Sequence, residues 1–299
     1  MVLSFEVVFP AVGVEVVVMI SALDPVATAV AERWGTLDAF GAQVDGAPIR
    51  RLNDRTAVVR RPGAHTHDED VDLRLPESIR ESRPTLVFPS IHRSERNVPC
   101  LTVHPLGNPG LRAEVGGRPR SLVPTDPRRM VHALRLLDEE GSPLGLKATY
   151  EATHHGPAVG LPAFFIEIGY GELPHPPPEA VRALADVISH VETVPGDRVA
   201  LGVGGGHYVP HFTDLALRRR WAFGHLLSRH ALPELTRATA EEAFATTPGA
   251  EGVVYARAED TGHPVFTGVG PRLREQDAPD RPRGASRSAT GGGRSVSGT

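Results

Sequence analysis

Residues 147–170 read KATYEATHHGPAVGLPAFFIEIGY. The β-prone run Ala148-Thr149-Tyr150 leads to two adjacent histidines, His154 and His155, which Gly156-Pro157 stops. Gly-Pro marks a turn, and the apolar run Ala163–Ile168 reads as a buried strand with one acid in it, Glu167. The stretch is therefore a strand, a polar corner with paired imidazoles, and a second strand that brings back a carboxylate. Such groups hold metals or move protons near neutral pH. A plainer reading stays open, in which one histidine closes a turn and Glu167 lies on a solvated strand face.

Strand periodicity puts Glu167 on the side of Phe165, away from Phe164, Ile166 and Ile168. On a regular strand His154 and His155 would point to opposite faces, so a shared site requires the corner to break the pleat. One imidazole would then bind a metal or take a proton while the other supports it.

Upstream, valine-rich Val14–Ile20 reads as a strand. Asp24-Pro25 follows as N-cap and first helical residue, and Val26, Ala29, Val30 and Trp34 form a helical stripe. Residues 41–82 alternate polar and apolar runs; His65 and His67 lie in a stretch polar enough to be a solvated loop. Thr85–Phe88 and Cys100–His104 read as strands, each with a histidine near its carboxyl end, His92 and His104. Ligands gather beyond the carboxyl ends of strands in open α/β sheets. Asp126-Pro127 repeats the capping signature before the apolar face Met130, Val131, Leu134 and Leu137.

Downstream, a helix carrying Val181, Leu184, Ala185, Ile188 and Val191 leads to the strand Arg198–Val203. This unit has the length of a right-handed crossover, which predicts Ala163–Ile168 and Arg198–Val203 parallel in one sheet. The second strand opens into Gly204-Gly205-Gly206-His207-Tyr208, where glycine amides can approach an anion. Thr213 or Asp214 caps a helix running to about Ser228, with Arg218, Arg219 and Arg220 in its middle as the nearest thing to a phosphate patch. A helix near 239–246 and a strand at Gly252–Ala256 close the fold.

A chain of 299 residues can bury a sizeable core, and its net charge of −4 gives no global basic field for nucleic acid. The single cysteine, Cys100, excludes an internal disulfide framework and fits a reducing, cytoplasmic setting. Its β-prone neighbours mark it as a packed core thiol rather than a nucleophile. The N-terminal apolar stretch is broken by Glu6, Pro10 and Glu15 and matches neither a signal peptide nor a membrane span. From about Gln276 apolar residues nearly vanish, which predicts disorder. The expected division is an extension at 1–13, one α/β domain at 14–275 and a disordered tail at 276–299.

Three blocks together resemble one family: FPSIHRSERNVPCLTVHPLGN (88–108), TYEATHHGPAVGLPAFFIEIG (149–169) and VALGVGGGHYVPHFTDLALRRRWAFGH (199–225). Their order and motifs resemble the D-aminoacyl-tRNA deacylases of the archaeal and plant type, over about residues 14–256. The resemblance implies a zinc-dependent hydrolase that cleaves the ester between a D-amino acid and the 3′-terminal ribose of tRNA. It also implies a phosphorylase/hydrolase-like fold related to peptidyl-tRNA hydrolase: a mixed, largely parallel sheet with helices on both faces.

Carried over by motif, His154, His155, Glu167 and His207 are the catalytic positions. His92, His104, His155, His207 and His225 are candidate zinc ligands, and Gly204, Gly205, Gly206, Tyr208, Arg93 and Arg218 candidate substrate contacts. The partner implied is the acceptor end of aminoacylated tRNA, bound by a monomer, with no DNA and no membrane. Two departures stand out. The family's SRHSS reads Ser90-Ile91-His92-Arg93-Ser94 here, so the arginine follows the histidine, and its APR reads Val209-Pro210-His211. Two rival readings remain: a metal-dependent hydrolase of the same fold acting on an amide, peptide or nucleoside, and a tRNA-binding module without catalysis.

Overall fold

A computed structural model describes residues 13–94 and 97–282. The chain begins β1 (Val16–Ser21), α1 (Pro25–Trp34), β2 (Asp38–Val44), β3 (Ala47–Arg51) and β4 (Thr56–Arg61). It continues α2 (Glu77–Arg80), β5 (Thr85–Ile91), β6 (Cys100–Pro105), β7 (Gly107–Asn108), β8 (Ser121–Leu122) and α3 (Pro127–Gly141). Next come β9 (Lys147–Tyr150), β10 (Ala163–Gly169), α4 (Pro178–His190), β11 (Arg198–Val203) and α5 (Pro210–Arg218). The last are β12 (Trp221–Leu227), α6 (Arg237–Ala245), β13 (Ala250–Tyr255) and β14 (Arg272–Leu273).

Local chemistry sets several of these elements. The Asp24 carboxylate accepts from the Val26 and Ala27 amides at 2.9 Å, and Asp126 accepts from Arg129 N at 3.1 Å. Each cap satisfies amides that a helix leaves unpaired at its start, and Pro at the next position costs no hydrogen bond there.

The strands form a mixed α/β architecture with two main sheets. One has eight strands in the order β2-β3-β4-β1-β5-β10-β6-β9, and the other has the order β12-β11-β13-β14. In the larger sheet β4, β1, β5 and β10 are parallel, β6 runs against β10, and β9 is parallel to β6. The strands of the smaller sheet are all parallel. Val16, Val18, Phe164, Ile166 and Ile168 pack beneath α1, α3 and α4, whereas Val17, Met19, Phe88 and Phe165 face Ile79 of α2 and the turns before it. In the smaller sheet α5 and α6 cover opposite faces.

Three expectations change. First, β10 and β11 lie in different sheets. A strand has two hydrogen-bonding edges, and β10 has spent both on β5 and β6, so the crossover delivers β11 to a new sheet. Second, the helix expected to reach about Ser228 ends at Arg218, and Trp221–Leu227 is a strand. Arg219 is extended, and the aromatic and branched run behind it finds a parallel partner in β11. Third, residues 276–282 are packed: Ala278 is buried, and Arg220 N donates to Pro279 O at 2.9 Å. The remainder of the expected tail, 283–299, and residues 1–12 of the expected extension lie outside the described residues.

Candidate active site

Sheet register assembles the first part of the site. β10 pairs Phe165 with Phe88 of β5 and His104 of β6, and pairs Glu167 with Ser90 and Thr102. Residues opposite one another in a ladder share a face. One face therefore carries a row of rings (Phe88, Phe165, His104) followed by a polar row (Ser90, Glu167, Thr102). The rings stack at 5.0 and 5.1 Å between centroids. His92, just past β5, lies beyond the polar row and directs Nδ1 to Glu167 Oε2 at 3.2 Å. Glu167 is buried and has no solvated face. Neither is His65 solvated: its Nε2 accepts from Ser21 N, and its ring meets Phe88 and Phe165.

The corner supplies the second part. The continuation of β9 forms the seam between the sheets: Ala152 N donates to His207 O, and Thr153 N donates to Leu226 O, both at 2.8 Å. His155 has φ +42°, the left-handed region that non-glycine residues seldom adopt. This is the required break in the pleat. It lets neighbouring His154 and His155 reach one cluster, with ring centroids 4.4 Å apart. His154 also lies 4.1 Å from His104 and 4.8 Å from His207, centroid to centroid.

Hydrogen bonds define the tautomers. Nδ1–H of His154 donates to Ala152 O and that of His155 to Gly156 O, both at 2.8 Å; that of His104 donates to Pro105 O at 3.2 Å. A carbonyl can only accept, so a neutral ring keeps its lone pair on Nε2. Burial opposes charge on His104, but Glu167, 3.7 Å from its Nε2, overcomes it and raises that imidazole above the ordinary value. Burial, reinforced by the neighbouring imidazoles, pushes His154 well below the ordinary histidine value; burial and His104 take His155 down to about 4.

Glu151 joins this cluster and was not legible as a site residue. Its carboxylate is fully buried, with Oε1 2.9 Å from His92 Nδ1 and Oε2 2.9 Å from His207 Nε2. Neither oxygen has a partner in hydrogen-bond alignment, and neither does His104 Nε2. Burial opposes charge on Glu151, but His207 and His92 outweigh it and hold the carboxyl well below its usual range. Burial likewise opposes charge on His92, and Glu151 and Glu167 overcome it, raising the imidazole to about 10. The only sequence hint was an acid flanked by Tyr150 and Ala152 in a strand-like run.

These donors suit a divalent cation. Three groups, His104–His154–His155, His92–Glu151–His207 and His104–Glu151–Glu167, each hold one ligand atom per residue within 4.8 Å of the others. Converging imidazole nitrogens beside buried carboxylate oxygens that lack an aligned donor form a set that can hold a cation.

Other expected residues are placed differently. His225 is fully buried, with Nδ1 3.1 Å from Thr153 Oγ1 and Nε2 3.1 Å from Thr246 Oγ1, so it has no nitrogen left for a metal. The Tyr208 hydroxyl lies 2.7 Å from His92 Nε2 and 3.2 Å from Ser94 Oγ, committed to the site rather than free for substrate. Gly204 N donates to Leu227 O at 2.8 Å, and a Cβ on Gly204 would meet Asp260 Oδ2 at 2.3 Å. A carboxylate against a spent amide disfavours an anion at Gly204; Gly205 and Gly206, both half-buried, precede the exposed His207. Arg93 is exposed directly after His92.

Arg218 lies at the wrong end. Arg198 N, at the start of β11, donates to Arg220 O, while the glycine loop leaves the other end of that strand. Six residues of strand separate the two by about 20 Å. Arg218 pairs with Asp214, Arg219 with Asp280 and Arg220 with Asp197.

A family model described as D-aminoacyl-tRNA deacylase matches residues 79–262, which includes every residue of the cluster. The chain belongs to the D-aminoacyl-tRNA deacylase family. It is 37% identical over 219 residues to the D-aminoacyl-tRNA deacylase of Methanosphaerula palustris, covering 73% of this chain and 48% of that protein. Against the deacylase of Thermoplasma acidophilum identity is 35% over 178 residues, covering 60% of this chain and 69% of that one. For Pyrococcus abyssi it is 35% over 198 residues, covering 63% and 70%. The match thus spans about half the length of the Methanosphaerula relative and over two thirds of the other two. Among solved structures, a conserved protein of unknown function, AF0625, superposes with a TM-score of 0.75 at 24% identity, covering 89% of this chain and 96% of that one. This last likeness concerns the fold.

Proposed function

We propose that this deacylase-family chain hydrolyses the ester between a D-amino acid and the 3′-terminal ribose of tRNA, releasing both. The observation that carries the reading is the convergence of His104, His154, His155 and Glu167 with Glu151, His92 and His207 at the seam between the sheets. Family membership supplies the substrate class.

Ester hydrolysis needs an activated water, a polarised carbonyl and a proton for the leaving hydroxyl. His104, His154 and His155 would hold a metal through Nε2, with Glu167 beside them; zinc suits a nitrogen and carboxylate set of this kind. A bound zinc ion would supply Lewis-acid polarisation and an acidified water. The chain's own residues do the rest. Backbone carbonyls hold the three imidazoles in the tautomer that presents Nε2. Glu167 orients His92 at Nδ1, and Tyr208 holds that ring from its other nitrogen. Glu151 Oε2, 2.9 Å from His207 Nε2, orients the half-exposed ring so that its other nitrogen can exchange protons with the leaving 3′ oxygen. The lone buried Cys100 supports a reducing, cytoplasmic setting, and the reading is of a monomer.

The test is release of free amino acid from matched D- and L-aminoacyl-tRNA by purified protein, with metal analysis and chelation in parallel. The expected result is cleavage of the D ester, sparing of the L ester, and loss of activity on chelation that zinc restores. Absence of cleavage by metal-replete protein overturns the reading.

A further inference from the structure

The turns at 65–72, 115–117 and 156–160 interlock next to the histidine corner. Gly156 N donates to Val115 O at 3.2 Å, and a Cβ on Gly156 would come within 2.1 Å of Gly117 N and 2.7 Å of Thr66 O. Only glycine permits that approach. Glu69 lies where these turns meet. Its Oε1 accepts from Gly117 N at 2.6 Å and its Oε2 from Ala158 N at 2.5 Å. Neither amide has a backbone acceptor among the described residues. Asp70 N donates back to Ala158 O at 2.9 Å, and Asp72 Oδ2 accepts from Gly160 N at 3.0 Å, so the acidic turn follows the exit from the corner.

What these contacts fix is a carbonyl. His155 Nδ1–H donates to Gly156 O at 2.8 Å, which leaves Nε2 to converge with the nitrogens of His104 and His154. Pro157 has no N–H, so the peptide unit that carries Gly156 O has no donor of its own to tie it down. Its direction depends on the amides to either side: Gly156 N, bonded to Val115 O, and Ala158 N, bonded to Glu69. The φ of +42° at His155 adds to the need, because a non-glycine residue keeps that conformation only where its surroundings impose it. A carboxylate fits the task, since it offers an acceptor oxygen to each N–H; a glutamine would offer one and set its own NH2 against the other amide.

We propose that Glu69 is a positioning residue for the metal-binding corner: by accepting from Gly117 N and Ala158 N, its carboxylate fixes the Gly156 carbonyl that orients the His155 imidazole. This rests on the reading that the corner holds zinc. Glu69 acts through the backbone it bonds. Its neighbours do something else: Asp68 is taken by Arg61 and Arg74, and Asp70 by Arg118, so those acids hold the turn itself.

The experiment titrates zinc-loaded protein with a competing chelator, in the absence of tRNA and well below the melting temperature, for wild type, Glu69→Gln and Arg118→Ala. Glu69→Gln should hold zinc about 10- to 100-fold more weakly, as expected when the group that orients a ligand is lost. The visible absorption of its cobalt-substituted form should shift, and on a D-aminoacyl ester kcat should fall while KM is unchanged. Arg118→Ala, which cuts the pair to Asp70 and leaves the amides on Glu69 in place, should match wild type in zinc affinity. Wild-type zinc affinity and cobalt spectrum in Glu69→Gln, with only a lower melting temperature, would make Glu69 a structural staple and overturn the proposal. Equal weakening in Arg118→Ala, or no zinc binding by wild type, would overturn it too. Glu69 is half-buried, and Glu69→Ala carries the same expectation if the glutamine variant does not fold. The two readings fail separately: the titration contains no ester, so a deacylase failure leaves the difference in zinc affinity, and a Glu69 failure leaves hydrolysis of the D ester intact.

Discussion

Two buried histidine environments meet at Thr153, and they differ in one respect. On one side, His104, His154 and His155 spend Nδ1 on backbone carbonyls, keep Nε2 free of hydrogen bonds and converge with ligand atoms within 4.8 Å of one another. On the other, His225 has a threonine hydroxyl on each nitrogen, from Thr153 and Thr246. His104 is as buried as His225, and His104, His155 and His225 carried the same expectation of metal binding. A histidine saturated by hydroxyls is a piece of core, whereas one held by a carbonyl with its second nitrogen bare is prepared for a ligand. Burial alone does not separate them.

The largest expected effect comes from Glu151→Gln, which removes the buried charge that faces His92 and His207. Activity on a D-aminoacyl ester should fall about 10³-fold, with a single-turnover assay as the measure. Retention of activity within tenfold would move Glu151 out of the machinery and weaken the contrast with His225. His155→Ala should lower activity by about 100-fold and reduce bound metal, read by elemental analysis. An unchanged metal content would mean that the bare Nε2 atoms are not its ligands.

His225→Leu tests the other side. Activity should stay within about threefold, while stability drops by about 1–3 kcal/mol because two threonine hydroxyls lose their partner. The acid response carries a sign. Burial drives His225 down to about 3, below the ordinary 6.5 of an unfolded chain. The unfolded state therefore binds the proton first, and this contribution, complete above the unfolded value, is lost as pH falls from 6.5 toward 3. Between pH 7.5 and 5.0 the His225→Leu protein should lose about 2 kcal/mol less stability than wild type, measured by urea unfolding. Equal losses would show that His225 is already protonated in the fold.

The smallest effect is expected at Cys100, which lies 3.8 Å from the Tyr208 hydroxyl. Burial pushes its thiol up to about 11, so a thiolate nucleophile is not present at neutral pH. Cys100→Ser should keep activity within about threefold, and a larger loss in kcat with metal content intact would place the thiol in the reaction.

Local chemistry was enough to read much of this protein from its sequence. The caps at Asp24 and Asp126, the alternation that puts Glu167 opposite Ile166, and the break at His-His-Gly-Pro all depend on residues a few positions apart. The assignment of His154, His155, Glu167 and His207 to one place came from the resemblance, not from local chemistry or topology. Tertiary structure decided what depends on partners distant in the chain. Glu151 resembles a surface acid until the seam between two sheets closes over it. Trp221–Leu227 has strand-forming residues, but no local stop after Arg218 announced that β11 would pair with them. The second sheet follows from β10 having both edges occupied, and the exclusion of Arg218 from the site follows from which end of β11 the chain returns to. Hydrogen-bond edges and buried charges are settled by what arrives from elsewhere, and one segment's sequence does not carry that information.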